Sequence, residues 1–261
     1  TNNNSVVRVT DSPTTNYATL NPSNKAATVA LSIGNTEMTT GVASIYNAVG
    51  TIPMTTGKYY FEVETVSSDA TYPVIGVASA AANVTGNNEL GDAAVGGIGY
   101  RASGAVTQGG STIQSYASWS SATNVAGCAY DADTGLVWFR ASAGWNGDPA
   151  AGTGAAGWLN PTDGAALFGV SGYSGAKPKA IFREADWTYS APTGFVALSQ
   201  DNMTDTDQFI SAFSWIKNRD ATDNHMLFDR VRGVTKDLHS NTADIEVTNV
   251  ETVQQFLSAG V

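Results

Sequence analysis

Only 14% of the 261 residues are charged and the formal net charge is −10, against about 25% charged in an average globular chain. Surfaces that grip nucleic acid or anionic membranes need clustered cations, and the 13 Lys and Arg residues form no basic block. No apolar run approaches the roughly 18 residues of a membrane-spanning helix, so a soluble chain without membrane insertion is expected, one with room for a sizeable core.

The N-terminus, TNNNSVVRVT, has neither the basic nor the apolar region of a secretory signal. Residues 1–56 alternate short β-like runs with turns. Val6, Val7 and Val9 form one run, closed by Asp11, Ser12 and Pro13; Val29, Leu31 and Ile33 share one side of another. GKYYFEVETV, from Gly57, is the cleanest alternation. Tyr59, Phe61, Val63 and Thr65 should face a core, and Glu62 and Glu64 should meet water. Val74 to Ala78 reads as a short inner strand, where Gly76 lets a backbone or a ring come close. Residues 80–97 are small and polar and read as a surface loop, followed by a strand from Gly97 to Ala102.

The stretch AGCAYDADTGLVWFR, from Ala126 to Arg140, predicts a central hairpin. Gly135 supplies positive φ and the Asp side chains can bond nearby N–H groups. Leu136 and Trp138 point one way, Val137 and Phe139 the other, so this arm should be covered on both faces. Ala143 to Pro161 is a long Gly-rich and Ala-rich loop, a kind that is usually functional or mobile. Strands follow at Ala165 to Ser171 and Lys179 to Phe182, and Ala191 to Phe195 makes a closing turn. Beyond a boundary near Ser199 to Thr206, Phe209 to Lys217 and His225 to Arg230 read as two strands with too little core to stand alone. Residues 249–258 fit a short helix as well as a continuing β segment.

The motifs for chemistry are weak. Gly152, Gly154 and Gly157 spell G-x-G-x-x-G, but a loop precedes them and Pro161 blocks the helix that a pyrophosphate site requires. Asp131 and Asp133 could open a calcium loop, yet the remaining oxygen ligands are missing and a hairpin turn explains them. His225 and His239 are too far apart for a helical ligand pair. No G-x-S-x-G elbow is present, and no carboxylate pair stands out for glycoside cleavage. Cys128, the single cysteine, precludes an intrachain disulfide and sits in an apolar strand as a small hydrophobe. The positive signal is aromatic. Trp119, Trp145 and Trp158, with Tyr116, fall in loop-like stretches, where rings stack on sugars or enter a partner's pocket. The competing reading folds them back over the sandwich edge.

GKYYFEVE, from Gly57, resembles the opening strand of the SPRY domain. IGVAS from Ile75, Gly99 with Tyr100, the hairpin from Gly127 to Phe139, and APTGF from Ala191 resemble its later motifs in order. An inserted ASAGW displaces the family's Asn-Gly to Asn146 and Gly147, and Ile181, Phe182 and Arg183 stand where N-F-G is common. The resemblance covers about residues 57–198 and implies an all-β, antiparallel β-sandwich of SPRY (concanavalin-like) type. Residues 1–56 would be an N-terminal β arm packing on it, and 199–261 a C-terminal β extension. The flanks, Asp11 to Pro22 and Ser214 to Asp229, resemble segments around SPRY domains in bacteriophage tail-fibre-like proteins. In those relatives the second flank opens another, lectin-like sandwich. The resemblance implies a non-enzymatic virion protein without cofactor. Its partners would be other virion subunits, a second copy, or a host-surface glycan or protein. A free-standing SPRY-type peptide-recognition module and a glycan-binding or glycan-cleaving sandwich are the alternatives.

Overall fold

In a computed structural model of the chain, residues 16–203 and 213–252 are described, except 42, 68–70, 82–83, 121–124, 160–163, 230–231, 233–234 and 251. The runs expected at Val6 to Val9 and at 249–258 lie wholly or largely outside these residues. The chain divides into two compact units, Thr1–Thr204 and Asp205–Val261.

Sixteen strands build the described part of the first unit. The early ones are β1 (Leu20–Lys25), β2 (Val29–Ser32), β3 (Glu37–Thr40), β4 (Ile45–Met54), β5 (Lys58–Ser67) and β6 (Val74–Ser79). The middle ones are β7 (Ile98–Arg101), β8 (Ala105–Gln108), β9 (Ser111–Ser115), β10 (Val125–Asp131) and β11 (Leu136–Ala141). The rest are β12 (Gly144–Trp145), β13 (Gly157–Trp158), β14 (Ala166–Tyr173), β15 (Lys177–Ile181) and β16 (Val196–Ala197). One sheet runs β1-β4-β14-β6-β7-β8-β9 and the other β12-β11-β10-β5-β15-β3-β2, with β13 on β11 and β16 on β5. All neighbours are antiparallel except β16 against β5. The protein is an all-β, antiparallel β-sandwich.

Tyr59, Phe61 and Val63 enter the core as their alternation predicts, each burial contributing about 1.5–3 kcal/mol at most. They face Phe168 and Val170 of the first sheet within a single large apolar cluster. Phe61 and Phe168 meet edge to face at 4.5 Å, and Tyr100 stacks on Phe139 at 5.2 Å. The expected hairpin is present, with Cys128 opposite Phe139 and Tyr130 opposite Val137. Gly76 has the role expected of it: a Cβ there would lie 2.0 Å from the Ile98 carbonyl oxygen.

Three expectations change. Residues 20–54 are not an arm laid on the sandwich: β1 and β4 are strands of one sheet, β2 and β3 of the other. Ile33 leaves the buried side of its strand, because the chain turns there with φ of 50° and leaves it 62% exposed. The described part of residues 80–97 is not a solvated loop. Val84, Leu90 and Val95 pack over Val74 and Ala78 on the outer face of the first sheet. Arg101 there pairs with buried Glu89 at 2.8 Å.

The outer face of the second sheet is covered as well, and this corrects the reading of Glu62. Glu62 is fully buried. It accepts hydrogen bonds from the Tyr60 hydroxyl and from the Thr188 and Tyr189 N–H groups. Trp187 and Phe195 from the covering segment pack with Tyr60 and Trp138. The alternation signal identifies which residues share a face, but not which distant segment will cover it. Glu64, one step along, is half-exposed and pairs with Lys179 at 3.1 Å.

In the second unit, β17 (Phe213–Ile216), β18 (Met226–Asp229), β19 (Lys236–His239) and β20 (Val247–Thr248) form a four-stranded antiparallel sheet in that order. Two of these strands, β19 and β20, had no clear periodic signal in the sequence.

Candidate functional site

The aromatic residues singled out in the sequence separate in space. Trp119 is in the core, 1% exposed and beside the Tyr100 ring at 6.1 Å. It is therefore removed from any surface role. Its small-residue flanks suggested a loop, and the chain does lack strand structure there, but the loop folds inward. Trp158 is 48% exposed. Its indole N–H donates to the Thr134 carbonyl at 2.8 Å, which holds the ring at the hairpin turn. Trp145 is half-buried and meets Tyr60 edge to face at 5.8 Å. Both Trp145 and Trp158 sit on short strands against β11, opposite Arg140 and Leu136 respectively. That spacing separates them by about 13 Å along the strand, on the same face.

Tyr116 and Trp145 do come together. With Tyr100, Phe139, Ala141 and Asn146 they line a cavity of about 180 Å³ at the sandwich edge. The local sequence explains the construction. Gly144, at φ of 108°, turns the chain so that Trp145 pairs back onto Arg140. Asn146 then acts as a hub. Its side-chain oxygen accepts from the Phe139 N–H at 2.7 Å, and its amide donates to the Gly154 carbonyl at 2.7 Å and the Tyr116 hydroxyl at 3.3 Å. Burial raises the pKa of the Tyr116 phenol, partly offset by the Asn146 bond, and burial pushes Tyr100 up further. Both hydroxyls are neutral donors and acceptors at ordinary pH. Ordinary ligand pockets hold about 300–1,000 Å³, so this cavity suits one side chain or one ring of a larger partner.

The residue that sequence reasoning missed here is Arg140. Its guanidinium lies 4.2 Å from the Tyr189 ring centre and 6.0 Å from that of Trp145, close enough for cation–π attraction. Its shielded Nε has no hydrogen-bond partner. A cationic aromatic patch thus borders the cavity. The pairing of Arg140 with Trp145 across the tight turn was the available signal; Tyr189 arrives from a distant segment.

The loop from 146 to 157 is tied down rather than open. Asp148 and Thr153 form a two-way backbone bridge, and the Trp138 indole N–H donates to the Thr153 carbonyl at 2.9 Å. Gly152 and Gly154 take positive φ in turns, Gly157 pairs with Val137, and the motif ends in strand β13 rather than opening a helix, so the G-x-G-x-x-G is a turn sequence. Asp131 is likewise a turn residue. Its Oδ1 accepts from the Asp133 and Thr134 N–H groups, and its Oδ2 lies 3.4 Å from Lys58 Nζ. Asp133 accepts from the Gly57 N–H. Both Asp131 oxygens and the Asp133 Oδ1 are thus committed to backbone and Lys58, and among the described residues no group of three acidic, His or Cys side chains is placed to hold a metal. His225 accepts from the Trp215 indole at 3.1 Å, and His239 faces Asn224.

Two larger cavities are lined by described residues. One, about 510 Å³, opens on the second sheet near Tyr17, Ile33, Lys179 and Arg183. The other, about 550 Å³, lies wholly in the second unit.

An all-β sandwich with covered outer faces and an aromatic cavity at one edge is the class of protein that this fold and site define. A family described as a domain of unknown function (DUF7483) matches residues 189–261. No curated protein matches the chain. Among solved structures it is similar to the SPRY domain of human HERC1, with TM-score 0.47 and 16% identity over 62% of this chain and 96% of that one. It is also similar to the TRIM65 PSpry domain, with TM-score 0.45 and 12% identity over 64% and 93%. Stonustoxin gives 0.47 and 15% over 63% and 27%. These likenesses concern architecture and carry nothing about function.

Proposed function

We propose that the chain is a non-enzymatic component of a bacteriophage virion, tail-fibre-like or otherwise exterior. In this reading a rigid SPRY-type sandwich presents the Tyr116–Trp145 cavity to a host-surface or virion partner, while the second unit serves assembly. The observation that supports it most is the apolar face of the second unit's sheet. Phe213 and Trp215 stand 51% and 61% exposed on β17, and Trp215 lies within the segment whose sequence resembles those of phage fibre proteins. Large rings held outward on an edge strand suit packing between subunits. Native mass spectrometry tests this: an oligomer of the 27.1 kDa chain is expected, and a strict monomer at micromolar concentration contradicts it.

The alternative reading, a free-standing peptide-recognition module, is favoured by the size of the cavity, which matches one anchoring side chain. A monomer that binds a short peptide through Trp145 and Tyr116 would support that reading instead.

A further inference from the structure

Strand register in the second unit places Ile216, Met226 and His239 in one cross-strand row, with Asp237 and Val247 in the next row on the same face. This face floors the cavity of about 550 Å³. Asp237 is 2% exposed, and its Oδ1 is shielded from solvent with no hydrogen-bond partner. A buried carboxylate oxygen without a donor is costly and uncommon. It marks a position where a donor belongs.

The Asn218 and Asn224 amides of the rim are engaged elsewhere. The Asn218 amide donates to Asp223 at 2.7 Å, and the Asn224 amide contacts His239 at 3.3 Å. Asn224 accepts from Asn241 in turn. The lining includes Asp223 and Asp237 but no Lys or Arg. It also contains no Phe, Tyr or Trp, so a sugar ring would find no aromatic face to stack on. Ile216, Met226 and Val247 supply an apolar wall instead. A ligand complementary to all of this has a positively charged N–H donor at the end of a flexible hydrocarbon stem.

We propose that this cavity binds a primary alkylammonium group, of the kind carried by a lysine side chain or an aliphatic diamine, with the ammonium on Asp237 and its methylenes along Ile216, Met226 and Val247. The assignment is independent of the role given to the first unit. An ammonium supplies three donors at one point, which matches a single unpaired oxygen better than a planar guanidinium does.

Isothermal titration of the full chain with Nα-acetyl-lysine methylamide, and with its neutral norleucine analogue, tests the assignment. Saturable millimolar binding of the lysine compound is expected, weakening as salt rises, with none by norleucine. Asp237→Asn should weaken binding at least tenfold, while Asp220→Asn, outside the cavity, should leave it unchanged. If Asp237→Asn disturbs the circular dichroism spectrum, Ile216→Trp, which fills the cavity from an exposed edge, should abolish binding in its place. Equal binding of the two compounds, undiminished binding by the folded variants, or binding only of neutral methyl glycosides would overturn the proposal.

Discussion

The phenol of Tyr60 donates a 2.7 Å hydrogen bond to Glu62, two residues along the same strand and on the same buried face. Glu62 uses its two oxygens at once, accepting from Tyr189 N–H at 2.8 Å and Thr188 N–H at 2.7 Å. This pair fastens the segment that carries Trp187 and Tyr189 over the second sheet, and so sets the ring against which Arg140 rests.

Removing either partner should loosen that cover. Tyr60→Phe should cost about 1 kcal/mol and Glu62→Gln about 1–3 kcal/mol, since the latter leaves buried donors poorly matched. The two changes should couple by more than about 0.5 kcal/mol in a double-mutant cycle read by urea unfolding. Additive losses would show that the pair does not act as a unit.

Tyr60 fits because its diagonal neighbour on the adjacent strand, Gly127, has no side chain. A Cβ on Gly127 would sit 2.5 Å from the Tyr60 hydroxyl oxygen. Gly127→Ala should cost about 1–3 kcal/mol, and adding Tyr60→Phe should recover part of it by removing the nearest atom. Gly76→Ala should cost more, because its Cβ meets the Ile98 backbone carbonyl, which cannot rotate away. Thermal midpoints of the three variants check the order.

Alkali should unfold the sandwich. Burial raises the Tyr60 phenol pKa far above 10, with the Glu62 carboxylate adding to the effect; it raises that of Tyr100 as well, and pushes Tyr130 up to about 12. Below pH about 10 these groups are protonated in both states and have no effect on the slope. Above it the unfolded chain releases protons that the folded chain retains, so stability falls as pH rises. Phenolate absorbance at 295 nm should therefore appear partly as a cooperative step coincident with loss of the β signal. A smooth titration of all the tyrosines in folded protein would contradict this.

The tryptophans should divide by position rather than by their shared loop-like sequence context. Trp119→Ala should cost about 3–5 kcal/mol as a core deletion, and Trp145→Ala about 1 kcal/mol. Only Trp145→Ala should leave a folded protein with an altered edge cavity. Cys128 provides a companion check: it is buried, and its thiol is held neutral by burial. It should resist maleimide at pH 8 until the chain unfolds.

Much of the sandwich was legible in the chain. The hairpin from Cys128 to Phe139 announced itself because its turn chemistry and doubly apolar arm are local signals, and the inner row Tyr59, Phe61, Val63 because alternation is local too. What escaped was set by distant segments. Glu62 reads as a solvated glutamate until residues 188–189 are known to lie above it. Trp119 reads as a loop ring until Tyr100 is found beside it. Of the proposed site, Tyr116 and Trp145 were named from sequence, whereas Arg140 and Asn146 depend on a tight turn that an inserted, Gly-rich stretch disguised. Asp131 and Asp133 do stand at the hairpin turn, where the Asp131 carboxylate accepts from the Asp133 and Thr134 N–H groups as an Asx-type reversal requires.

The central claim, an exterior role in a virion, is tested most directly by labelling intact particles with gold-conjugated antibody raised against this chain and imaging them by electron microscopy. The account predicts gold at regular positions on the outside of the particle, on the tail, fibres or capsid surface. Particles that carry no label outside, while the same antibody detects the chain free in the lysate, would contradict it.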